Sequence, residues 1–225
     1  LHWMIIISLY TIIAAGVPVW IFLQSRDFIN VHLLYIGMVL LFIGIVSCSI
    51  NGIEIHFPAN NVQEGISKVG FIWPGLFITI ACGAISGFHA LCAGGTTSKQ
   101  IKSETATYKI GYYGMLLESF LALCVIITVI IGINIFQYKE LVLPAGNSKF
   151  QSNPILAFAL ALGHTLNTGL GLPISFGILF GMLLLEGFIV TSLDTAVRLN
   201  RYLFEELWRV IFKHPPKLLC HYWVN

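Results

Sequence analysis

The sequence predicts an all-α fold, a polytopic integral membrane bundle of about five transmembrane helices with one broken helix and one re-entrant or interfacial segment. Three observations carry this prediction. Hydrophobic residues make up 57% of the 225 residues and charged residues only 10%, with a mean hydropathy of +0.86, whereas soluble domains carry about 25% charged residues. Apolar runs of about 20 residues, enough to cross a hydrocarbon core of about 30 Å at 1.5 Å per residue, recur along the chain. Lysine and arginine also fall unevenly: with five crossings, nine collect on one side and three on the other. The richer side is the cytoplasmic one.

Composition also excludes some functions. A net charge of +2 without a basic run gives no support for a nucleic-acid partner. The five cysteines, Cys48, Cys82, Cys92, Cys124 and Cys220, form no C-x-x-C pair and read as small buried hydrophobes with inert thiols. Leu1 is not a start methionine and already lies in an apolar run, so the sequence reads as a piece of something longer.

The first expected span is 2–23, with Trp3 and Trp20 near its ends, where indoles favour the membrane interface. Pro18 reads as a kink or helix end. After the polar turn 24–27, residues 31–50 form an uncharged second span. A polar connection, 51–70, leads to the third, 71–95, and a polar segment follows it. The fourth span is 112–135, and 137–153 reads as a loop. Residues 155–163 are apolar but too few to cross, and the chain then turns polar at His164, Thr165, Asn167 and Thr168. This stretch, 154–171, reads as a half-helix, a re-entrant segment or an interfacial helix. The fifth span is 172–193. Thr191-Ser192-Leu193-Asp194 reads as a capping box opening an amphipathic cytoplasmic helix and tail over 194–225, with Asp194 complementing the helix dipole. Arg201, Glu205 and Arg209 pair at i,i+4 spacing on that helix. The topology places the C-terminus in the cytoplasm. If 154–171 crossed as well, the charge split would become four to eight with the opposite orientation.

The interrupted span is where chemistry is expected. Gly83-Ala84-Ile85-Ser86-Gly87 and His89 break the apolar run, which ends at Gly94-Gly95-Thr96-Thr97. Each interior glycine weakens a helix by roughly 1 kcal/mol relative to alanine, and a mid-membrane histidine needs a partner or water. One reading is a broken helix lining a cavity, with Gly83, Ser86, Gly87 and His89 facing substrate. The other is a G-x-x-x-G helix contact with His89 satisfied across it. The Gly94–Thr97 stretch is no P-loop, because its glycines are adjacent and no strand precedes it. It reads as a turn leading to a Ser or Thr cap, whose backbone N–H groups, with Thr96 and Thr97, would suit a carboxylate substrate.

Glu118 and Glu186 lie within spans, where a charge costs roughly 3 kcal/mol. They are either proton-coupling carboxylates or hydrogen-bonding groups between helices. His164 and Asn167, three apart on one helix face, form a second candidate cavity lining. The histidines lack metal-ligand spacing, so no metal site is expected. No nucleophile–base pair or cofactor motif is present, and the chain is not expected to be an enzyme or to need a cofactor.

Four stretches resemble the carbon starvation protein A family: FITIACGAISGFH at 77–89, GTTSKQ at 95–100, IGYYGMLLE at 110–118 and TSLDTAVRLNRY at 191–202. The likeness extends over most of 1–208, while the tail 214–225 departs from the family's continuation. The resemblance implies a bacterial inner-membrane transporter of peptides, or of small carboxylates such as pyruvate, used during carbon starvation. Proton-coupled uptake is the expected function. The partners are then the substrate, protons, the lipid bilayer and the remainder of the transporter or further copies of the chain. The rival expectation is a non-transporting membrane module, such as a sensor or assembly subunit, or a truncated remnant.

Overall fold

A computed structural model describes residues 2–16, 23–55, 57–58, 62–84, 87–143 and 152–211. Among these residues all regular structure is helical. Ten helices follow in order: α1 His2–Gly16, α2 Leu23–Ile50, α3 Val62–Val69, α4 Phe77–Ala84, α5 Gly87–Cys92, α6 Ser98–Gln100, α7 Glu104–Gly132, α8 Ile135–Val142, α9 Pro154–Leu170 and α10 Ile174–Ile211. Three of them, α2, α7 and α10, are long and apolar enough to cross a membrane; α1 and α9 are shorter apolar helices.

Several expected boundaries move. Helix α7 begins at Glu104, ahead of the expected 112, and the expected loop after it contains α8. The connection 51–70 contains α3, which pairs a polar with an apolar face. The expected helix start at Thr191–Asp194 is absent. Helix α10 runs through it unbroken for 38 residues, about 57 Å at 1.5 Å per residue. Thr191 Oγ1 donates back to Gly187 O at 2.7 Å and Thr195 Oγ1 to Thr191 O at 3.0 Å, so these hydroxyls serve the helix interior instead of capping it. Pro18 lies outside the described residues.

The chain forms two compact units, to both of which α2 and α10 contribute residues. One comprises Val31–Ala81 and Glu104–Glu186. Its centre is α9, in which eight residues from Ala157 to Leu166 are buried. Asn153 caps its start by accepting from Leu156 N at 3.0 Å, with Pro154 in the first turn. Gly171, at φ +69°, ends it in the left-handed conformation that glycine adopts without a Cβ penalty. Leu41, Cys124, Phe158, Leu162 and Leu166 form the apolar core. Cys48 Sγ donates to Thr165 O at 3.2 Å.

Close backbone approach sets this packing. A Cβ on Gly177 would lie 2.6 Å from Gly163 Cα, and one on Gly163 would lie 3.0 Å from Ile174 O. A Cβ on Gly132 would collide with the Ala161 backbone. Small residues at such crossings let helices pack where lipid offers no hydrophobic drive between them. Replacing Gly177 by alanine is expected to cost about 1–3 kcal/mol through overpacking. Gly114, with open space around it, should accept alanine with a gain of up to about 1 kcal/mol. Unfolding of the detergent-solubilised chain, compared between Gly177→Ala and Gly114→Ala, checks this contrast.

Candidate functional site

The other unit comprises Leu1–Asn30, Cys82–Ser103 and Gly187–Asn225. It contains a cavity of about 310 Å³, the size range of small-ligand sites. Three stretches line it. The start of α2 supplies Arg26 and Asp27. Residues 88–100 supply Phe88, His89, Cys92, Thr96, Thr97 and Gln100. Helix α10 supplies Thr191, Ser192, Thr195 and Arg198. The α10 residues fall at i, i+1, i+4 and i+7, one helix face.

The Gly94–Thr97 stretch is not a connecting turn between two helices, nor a helix end. It is a wide, π-helical turn, Ala93–Thr97, inside a helical run over 87–100, and Cys92, Thr97 and Ser98 all have right-handed helical backbones. The backbone N–H groups expected to face an anion are therefore not at a helix N-terminus. Thr96 Oγ1 donates to Cys92 O at 2.6 Å and Ser98 Oγ to Gly94 O at 2.7 Å. Gly95 has another use: a Cβ there would collide with Leu199 of α10. The extra residue of a π turn re-aims the side chains that come after it, a distortion frequent at functional sites.

At the cavity wall is a buried ion pair. Arg26 donates from one terminal nitrogen to Asp194 Oδ2 and to Tyr10 Oη, the latter at 2.8 Å, and from the other to Asp27 Oδ1 at 3.3 Å. The Asp194 side chain is 1% exposed and that of Arg26 18%. Asp194 Oδ1 and Arg26 Nε have no hydrogen-bond partner among the described residues. Arg198, 4% exposed, donates to Ala14 O at 3.2 Å. Asn30 Nδ2 donates to Thr191 Oγ1 at 3.1 Å. Further along α10, Arg201 pairs with Glu205 at 3.7 Å, and the Lys99 ammonium stands over the Tyr202 ring, 5.3 Å from its centroid.

Of the residues expected to form the site, His89, Thr96 and Thr97 line the cavity. Gly83 and Gly87 are exposed helical residues outside the lining, and Ser86 lies outside the described residues. His164 and Asn167 belong to the other unit. There Asn167 Nδ2 donates to Leu172 O at 2.8 Å, closing the end of α9. Glu118 and Glu186 also belong to that unit and are exposed. Sequence reasoning misses Arg26, Asp194 and Arg198, placed in a polar turn and on a surface helix. The available signal is polar spacing: Thr191, Asp194, Thr195 and Arg198 fall at i, i+3, i+4 and i+7 directly after an apolar run. Among the described residues no group of three His, Cys, Asp or Glu could hold a metal ion.

Two guanidinium groups and several hydroxyls around a small cavity can hold a carboxylate, because the guanidinium fork matches its two oxygens. Asp27 and Asp194 balance the two arginines, so the four charges sum to zero. Removing one partner of a buried pair costs about 3–5 kcal/mol, because it leaves the other charge uncompensated. Asp194→Ala should therefore destabilise strongly, and the double variant Arg26→Met/Asp194→Leu should recover most of the loss. Thermal unfolding in detergent reads both.

A family model described as carbon starvation protein CstA matches residues 1–152 and 145–224, and so runs through the tail that reads as departing from the family. The Escherichia coli (strain K12) protein named peptide transporter CstA is 30% identical over 257 residues, 94% of this chain and 36% of that protein. Peptide transporter CstA of Campylobacter jejuni is 41% identical over 127 residues, 55% of this chain and 18% of that protein. The Escherichia coli pyruvate/proton symporter BtsT is 42% identical over 123 residues, 52% of this chain and 16% of its own length. The chain thus spans no more than 36% of these three relatives. No solved structure matches it.

Proposed function

The chain belongs to the carbon starvation protein CstA family, and on that premise we propose that it forms the substrate-holding part of a proton-coupled importer of peptides or small carboxylates such as pyruvate. The observation that carries the reading is the polar cavity, with Arg26, Arg198, His89 and the threonine hydroxyls around it, in a membrane protein with only 10% charged residues. Charges in such a protein mark substrate and ion pathways by default. The relatives' names, peptide transporter and pyruvate/proton symporter, supply the substrate classes, and both classes carry a carboxylate. Arg26 and Arg198 hold that group, and His89, Thr96 and Thr97 contact the rest of the ligand.

In this reading the protein resides in the bacterial inner membrane. The charge asymmetry of the sequence supports a cytoplasmic C-terminus. It works with the remaining length of a transporter such as its relatives have, or with further copies of itself. No step in this function calls for enzymatic chemistry.

Uptake of labelled pyruvate and labelled dialanine into proteoliposomes, with and without an inward proton gradient, tests the proposal. Accumulation stimulated by the gradient is expected. The absence of both accumulation and counterflow would overturn it in favour of a sensor or assembly module. The variant Glu118→Gln separates two positions for the proton. Retained gradient drive, within about threefold, under about 1 kcal/mol, is expected if the proton is taken at the cavity. Loss of the drive with binding intact would return the proton to Glu118, and the same comparison applies to Glu186→Gln.

A further inference from the structure

We propose that Asp194 is the group that takes up the coupling proton, and that it does so because the substrate carboxylate displaces it from Arg26. This inference rests on the reading of the cavity as a carboxylate site and adds the residue and the exchange that would link substrate to proton.

Asp194 holds Arg26 through Oδ2 alone, and its Oδ1 is buried without a hydrogen-bond partner among the described residues. Arg26 Nε is likewise unused. Each member of the pair therefore keeps capacity that the other does not fill. Arg26 faces the cavity, and so do Thr191, Ser192, Thr195 and Arg198, which flank Asp194 on α10. An entering carboxylate meets a guanidinium already occupied by another carboxylate. It can take that position only if Asp194 lets go.

Charge balance then requires a proton. In the resting state Arg26 and Arg198 are balanced by Asp27 and Asp194. A substrate anion added to this buried set leaves one uncompensated negative charge, which is expensive in a low-dielectric interior. Asp194, at 1% side-chain exposure, is the most buried carboxylate of the set. Once separated from Arg26 it has lost the contact that favours its ionised form. It then takes up one proton, and the set returns to zero. The exchange is an Arg26–Asp194 pair plus substrate carboxylate plus one proton, giving an Arg26–substrate pair plus a neutral Asp194. Release reverses it, so neither substrate nor proton moves alone.

Among the described residues, the titratable and charged groups around Asp194 include Tyr10 of α1, reached through Arg26; Arg26 and Asp27 of α2; His89 of α5; and Arg198 of α10, which in turn feels Arg201 and Tyr202 of the same helix. His89 is the competing proton acceptor. Tyr10 is already a hydrogen-bond acceptor from Arg26, and Asp27, 44% exposed at its side chain, is the less buried of the two carboxylates.

The test is the number of protons bound per ligand, measured by calorimetry of the purified full chain in detergent, in buffers of different ionisation enthalpy. Pyruvate should bind with uptake of about one proton, and its Kd should rise about tenfold per pH unit over the range in which that uptake is complete. Asp194→Asn should bind pyruvate with no proton uptake and little pH dependence. A second measurement needs no variant: pyruvamide, which lacks the carboxylate, should bind the unchanged chain without taking up a proton. Proton uptake that persists in Asp194→Asn, disappears in His89→Gln, or accompanies pyruvamide would overturn the assignment to Asp194 while leaving the carboxylate site standing. Absence of binding by both pyruvate and dialanine to the unchanged chain would overturn the site and this inference together.

Discussion

A pair of opposite charges, Arg26 and Asp194, joins the start of α2 to α10, and much of its unit is arranged around that constraint. Neither charge is stable alone in a dry interior. The start of α2 must therefore meet the middle of α10, and α1 must bring Tyr10 against Arg26. Arg198, one turn beyond Asp194, is tied to the α1 backbone at Ala14. Three helices are thus joined by polar contacts that lipid cannot supply. The cavity lies between these contacts and the π turn at Ala93–Thr97, which brings Thr96 and Thr97 to the same lining as His89.

The second unit uses a different device. Its helices meet through glycine and alanine, with backbone atoms nearly touching at Gly163 and Gly177 and at Gly132 and Ala161. Helix α9 is buried because its neighbours offer small residues where larger ones would hold it away. The two units illustrate two solutions to helix association where water does not drive it: close van der Waals packing, and hydrogen bonds between polar groups.

The all-α membrane class is legible in composition alone, and the long helices α2, α7 and α10 in their apolar runs. Helix ends are less legible. The Thr191–Asp194 stretch has the residues of an N-cap, yet α10 passes through it, because Asp194 finds its partner in Arg26, 168 positions away. No local rule sees a contact at that separation. The glycines at 94 and 95 mislead for a related reason. Their pattern suggests a turn, but Gly95 is small to admit Leu199. The cavity is legible in part, through His89, Thr96 and Thr97. Its arginines are not, since a lone arginine in a short polar turn looks like any other exposed cation until the helix facing it is known.

Cys92 gives the most direct test of whether a carboxylate enters this cavity. Its thiol lines the cavity, while those of Cys48 and Cys124 are buried in the other unit. The rate at which a small methanethiosulfonate modifies Cys92, followed by mass spectrometry of its peptide, can be measured with and without pyruvate. A carboxylate seated in the cavity predicts saturable slowing by pyruvate and by dialanine, with no slowing by an equal concentration of chloride. A modification rate indifferent to both carboxylates, in a chain that still binds them, would contradict it.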